Sequence, residues 1–132
     1  MHPEPGHTPP LRVVVVDTDD RVRESLAGLL CIGDRLDVVG TAGQAGPALD
    51  VIIATHPDIV VIDPRLPEMD GGLSFIARLR AVAPDVRILV MSGADPTEGS
   101  DMLRAADGYV RKTFRPTDLV AAVCAAAMPL AG

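Results

Sequence analysis

Several apolar runs in this 132-residue chain end on a side chain able to do chemistry. LRVVVV (Leu11 to Val16) leads into Asp17, Thr18, Asp19 and Asp20; DIVVI (Asp58 to Ile62) leads into Asp63; VRILVM (Val86 to Met91) leads into Ser92; and GYVR (Gly108 to Arg111) leads into Lys112. Carboxylates gathered in one cleft repel one another and call for a cation. Mg²⁺ answers with one or two carboxylates, water and a phosphate oxygen rather than a complete protein cage. Beside such a cation a carboxylate can act as a nucleophile toward phosphorus, because the metal and an ammonium group neutralise charge on the equatorial oxygens during in-line transfer. Asp63 suits the nucleophile, Asp17 the metal, Lys112 the ammonium, and Ser92 a hydroxyl that hydrogen-bonds the acyl phosphate. A hydroxyl drawn toward a newly arrived phosphate also pulls the loop behind it, so a local charge event becomes a surface change.

The elements that must hold these residues are legible from periodicity. Continuous β-branched runs suit strands covered on both faces. LDVVG (Leu36 to Gly40) is a weaker strand, and GYVR is a short fifth one. Between them, helical spacing joins Val22, Leu26, Leu29 and Leu30, then Ala48, Ile52 and Ile53, then Phe75, Ile76 and Leu79. Met102 and Leu103 mark a shorter helix, and the last begins after Pro116 and carries Leu119, Val120, Val123 and Cys124 until Pro129 ends it. Strand and helix alternate throughout, which predicts an α/β domain with a five-stranded parallel sheet and five helices on its two faces. In such sheets ligands bind outside the carboxyl ends of the strands, where the polar residues collect.

Composition narrows the function. A formal charge of -6 disfavours direct nucleic acid binding and attachment to an anionic membrane, both of which need a basic surface. No apolar run is long enough to span a bilayer. Residues 1–10, MHPEPGHTPP, read as a disordered arm whose His2 and His7 are solvated; 11–127 form one domain and 128–132 a tail. Cys31 and Cys124 lack metal-ligand spacing and read as buried thiols of a cytoplasmic protein. Phe75, Tyr109 and Phe114 are the only aromatics, so the core must be built from aliphatic side chains.

The segment PDIVVIDPRLPEMDGG, Pro57 to Gly72, closely resembles the phosphorylation segment of response-regulator receiver domains, with Asp63, Leu66, Pro67, Met69, Asp70 and Gly71 matching in order. The resemblance extends over about Leu11 to Ala127 and implies the flavodoxin-like fold with strand order 2-1-3-4-5, which sets Asp17 and Asp63 side by side. It implies that Asp63 accepts a phosphoryl group from a histidine kinase or phosphotransfer protein, with Ser92 and Lys112 assisting. It further implies that Arg65 offers a backbone carbonyl to Mg²⁺, and that Ser92 and Tyr109 act as the switch. The VRESLAGLL and DVVGTA segments resemble receivers that precede helix-turn-helix output domains. A downstream target or an output domain is then the partner to be switched, and dimerisation is open.

Three features, two positions and one spacing, depart from the family pattern. Thr18 replaces the second acidic residue after strand one, which leaves Thr18 or Asp19 as substitute ligands beside Asp17 and allows for a weakened metal site. Thr113 stands where a proline commonly follows the lysine, and the 20 positions from Ser92 to Lys112 are fewer than the family spacing. Lys112 is the only lysine among twelve basic residues, which favours a specific role. Each residue also has a structural reading: an aspartate after a strand can cap a helix, Ser92 can hold a turn, and Tyr109 can simply pack. Two further functions fit parts of the pattern. One is a pseudo-receiver that binds proteins without phosphorylation; the other is a haloacid-dehalogenase-type phosphatase, in which VVVVDTD would make Asp17 the nucleophile.

Overall fold

Valine and isoleucine runs with no polar break need cover on both faces, and the centre of this fold is made of them. A computed structural model describes residues 9–32, 35–63, 73–92, 106–111 and 115–127. The elements, in chain order, are β1 (Leu11–Val16), α1 (Asp20–Leu30), β2 (Leu36–Ala42), α2 (Ala45–Thr55), β3 (Ile59–Ile62), α3 (Leu73–Val82), β4 (Arg87–Ser92), β5 (Gly108–Arg111) and α4 (Pro116–Ala127). The sheet is five-stranded in the order β2-β1-β3-β4-β5 with every pairing parallel. The expected helix around Met102 and Leu103 lies outside the described residues, so four of the five expected helices are seen.

Because side chains alternate across a strand, neighbouring residues feed opposite faces. Val14, Val16, Val60, Ile62, Ile88 and Val90 pack with Ile52, Phe75 and Leu79 beneath α2 and α3. Val13, Val15, Ile59, Val61, Leu89 and Met91 pack on the other face with Leu26, Leu30, Leu119 and Val123 of α1 and α4. Each fully buried side chain of this kind contributes roughly 1.5–3 kcal/mol relative to exposure. Phe75 is the one large aromatic of this core among the described residues, and it is fully buried.

Some boundaries and burials differ from the periodicity reading, for local reasons. β2 continues two residues beyond Gly40, past a register shift in which Val13 pairs with Val38 but Val14 pairs with Gly40. β3 begins after Asp58, whose carboxylate accepts the Arg12 N–H at 2.8 Å. β4 begins after Val86, whose N–H is spent on the Ala83 carbonyl in a turn, and it runs through Ser92. Ile53 lies on the solvent side of α2 and is 51% exposed, because Ile52 and Leu49 already fill the stripe that meets the sheet. The cysteines are free but not buried: Cys31 is exposed as the C-cap of α1, and Cys124 is half-buried at the margin of α4. Among the described residues no helix is long and apolar enough to cross a membrane.

Candidate functional site

The chain leaves β1 toward β2 on one side and returns to place β3 on the other, so the connections leaving β1 and β3 part at a topological switch point, where open parallel sheets bind ligands. Val16 pairs with Ile62 in the last register of that ladder. The next residues are Asp17 and Asp63, which leave the two strands abreast. The Asp17 N–H reaches back to the Ala42 carbonyl at 3.1 Å and the Asp63 N–H to the Val16 carbonyl at 3.0 Å, which carries sheet geometry into the site. These two are the buried charged residues of the described structure, 1% and 2% exposed.

The loop between β1 and α1 is ordered by its own aspartates. The Asp19 N–H donates to Asp17 Oδ1 at 2.9 Å. Asp19 is the N-cap of α1, and its Oδ1 accepts the N–H groups of Arg21 and Val22 at 2.9 and 3.2 Å. A carboxylate there satisfies donors that the first turn of a helix leaves unpaired. Asp20 opens the helix and pairs with Arg23. Thr18 is exposed between the two aspartates. Asp17 is thus the acid of this loop that turns inward, while Asp19 is engaged by the helix.

The donor set suits Mg²⁺, which takes one or two carboxylates and keeps several waters. Among the described residues there is no grouping of three or more His, Cys, Asp or Glu that could form a full metal cage. Ser92 ends β4 and pairs with Arg111 of β5, so its backbone stands at the same end of the sheet as the aspartates. Tyr109 pairs with Val90 and packs, half-buried, against the cluster under α2 and α3. Lys112, Arg65, Thr113 and the Met69-Asp70-Gly71 segment lie outside the described residues.

Sequence reasoning missed Arg23 and Gly43. Arg23 Nη1 donates to the Asp17 carbonyl at 2.8 Å, and it passes where a Cβ on Gly43 would intrude, 2.6 Å from Nη1. The available signal was slight: an arginine three residues after Asp20, and a glycine just beyond β2.

A family model described as the response regulator receiver domain matches residues 13–124. The DNA-binding transcriptional activator DevR/DosR of Mycobacterium tuberculosis is 35% identical over 115 residues, covering 86% of this chain and 52% of that protein. The response regulator MprA of Mycolicibacterium vanbaalenii is 36% identical over 114 residues, covering 85% of this chain and 48% of that protein. The chain therefore spans about half the length of these curated relatives. Among solved structures, the signal receiver domain of the response regulator NarL from Mycobacterium tuberculosis superposes with a TM-score of 0.81 at 33% identity, covering 91% of this chain and 98% of that one.

Proposed function

This chain belongs to the response regulator receiver family of two-component systems, and from that premise we propose that Asp63 is its phosphoacceptor. The observation that carries the reading is the pair of buried carboxylates, Asp17 and Asp63, abreast at the switch point of the sheet. Burial of two like charges is costly unless a cation shares the site. Asp17, Asp63 and the Arg65 carbonyl would hold Mg²⁺, with Thr18 reaching it at most through water. The ion supplies charge neutralisation for transfer to phosphorus.

The Asp63 carboxylate oxygen attacks phosphorus in line with the bond to a donor imidazole nitrogen, on a histidine kinase or a phosphotransfer protein. That nitrogen leaves as its bond to phosphorus breaks. Lys112 balances charge on the transferred oxygens, and the Ser92 hydroxyl donates to one of them afterwards. Movement of Ser92 at the end of β4, followed by Tyr109 on β5, alters the surface presented to a downstream target or output domain. DevR/DosR is described as DNA-binding, an output that we do not assign to this acidic chain. We read the domain as a signalling module rather than an enzyme, turning over at most its own acyl phosphate.

One observation favours a second reading, the phosphorylation-independent pseudo-receiver: Thr18 is exposed where the family offers a second acid. Membership in the receiver family leaves nothing in favour of the phosphatase with Asp17 as nucleophile. Titration with Mg²⁺ and fluoroberyllate, a stable analogue of the acyl phosphate, separates the first two readings through the amide spectrum. Phosphoacceptance predicts saturable shifts at Asp17, Asp63, Ser92 and Tyr109; an unchanged spectrum would establish the pseudo-receiver.

A further inference from the structure

Arg23 is a charged residue beside the acidic pair for which phosphoryl transfer supplies no role. It leaves the start of α1 and turns back over the β1–α1 loop, with Nη1 on the Asp17 main-chain carbonyl at 2.8 Å and Nη2 on the Asp20 carboxylate. The Asp20 side chain is 79% exposed, so that ion pair is screened by water and does little to hold the guanidinium. The Arg23 side chain is itself only 19% exposed. It is held instead by the Asp17 carbonyl and by the slot at Gly43, where a Cβ would stand 2.6 Å from Nη1. Real Cβ atoms do not approach that closely, so a side chain at residue 43 obliges the end of the guanidinium to shift.

The described ties around the loop link back on themselves. The Asp17 N–H bonds Ala42, the Asp17 carbonyl takes Arg23 Nη1, Asp17 Oδ1 takes the Asp19 N–H, and the Asp19 carbonyl takes the Arg23 main-chain N–H at 2.9 Å. Thr18 is the exposed link between the tied residues. We propose that Arg23, seated past Gly43, is a positioning residue for the acidic pair: by fixing the main chain of Asp17 it fixes the Asp17 carboxylate beside Asp63, and so sets the pair's affinity for a divalent cation. With threonine at position 18, no second carboxylate from this loop compensates for a misplaced Asp17. The inference rests on the reading of Asp17 and Asp63 as a Mg²⁺ site.

The sign of the effect separates positioning from simple charge. A guanidinium acting only through its field repels Mg²⁺, so its removal would tighten binding. Loss of a positioning contact weakens it. The test measures hydrogen exchange at the Asp19 amide in metal-free protein and Mg²⁺ affinity by amide shifts, on wild type, Arg23→Ala, Arg23→Lys and Gly43→Ala. The expected result is a Mg²⁺ dissociation constant raised about tenfold in Arg23→Ala and Gly43→Ala, as for other residues that orient metal ligands, with Arg23→Lys intermediate. Asp19 should exchange faster in the same two variants while the amides of Val14 and Val60 keep their protection, which shows that the sheet is intact. Unchanged Asp19 exchange, or unchanged or tighter Mg²⁺ binding in Arg23→Ala, overturns the proposal. If wild type binds no Mg²⁺, it is the metal reading of Asp17 and Asp63 that fails, and the clamp stands or falls on Asp19 exchange alone.

Discussion

Three successive oxygen-bearing residues, Asp17, Thr18 and Asp19, meet three different fates within one turn. Asp17 is drawn inward by the sheet, Asp19 is taken by the helix it caps, and Thr18 faces water between them. Restoring a carboxylate at the exposed position adds a negative charge beside Asp17 without disturbing either neighbour. Thr18→Asp should therefore bind Mg²⁺ about tenfold more tightly, equivalent to about 1.4 kcal/mol. Isothermal titration of both proteins checks this, and equal affinities would place residue 18 outside the metal's reach. Asp17 and Asp63 were legible in the sequence because each directly follows an apolar strand. The Asp19 cap was legible as an alternative to metal binding. Arg23 was not, because its link to Asp17 depends on a slot opened by Gly43 from another loop, which no local pattern records.

At the scale of elements, the site depends on how β2 is seated beside β1. The Asp17 N–H is held by Ala42, at the end of β2, and β2 reaches Ala42 only by absorbing a register shift near Gly40. Gly40 lies beneath α2, and a Cβ there would overlap Cγ1 of Val51. Overpacking of this kind typically costs about 1–3 kcal/mol. Gly40→Ala is accordingly expected to lower the midpoint of urea unfolding by that free energy with an unchanged slope, whereas an unaltered midpoint would show that α2 moves aside at no cost. Sequence patterning located every strand among the described residues but stopped β2 at Gly40, since glycine in a strand reads as its end unless the partner strand is known. It also counted Cys31 and Cys124 as buried, and set Ile53 on the same apolar stripe as Ile52. Helical spacing identifies a stripe, but the width of the stripe that the sheet covers is a tertiary fact, and α2 already fills it with Ala48, Leu49 and Ile52.

For the molecule as a whole, the α/β class followed from alternating periods, but the strand order did not. Periodicity cannot tell on which side of β1 the chain lays β3; that was expected only through the likeness of residues 57–72 to the receiver family. The observed order, β2-β1-β3-β4-β5, gives the site its geometry, because only with β1 and β3 adjacent do Asp17 and Asp63 stand abreast. The same order lays β4 and β5 side by side, with Ser92 opposite Arg111 and Tyr109 opposite Val90 at the sheet edge. Incubation with Mg²⁺ and acetyl phosphate followed by intact mass measurement asks most directly whether this architecture is used for phosphoryl acceptance. The account predicts the mass of one added phosphoryl group on wild type, none on Asp63→Ala, and none when the metal is chelated; no gain on wild type, or an equal gain on Asp63→Ala, would contradict it.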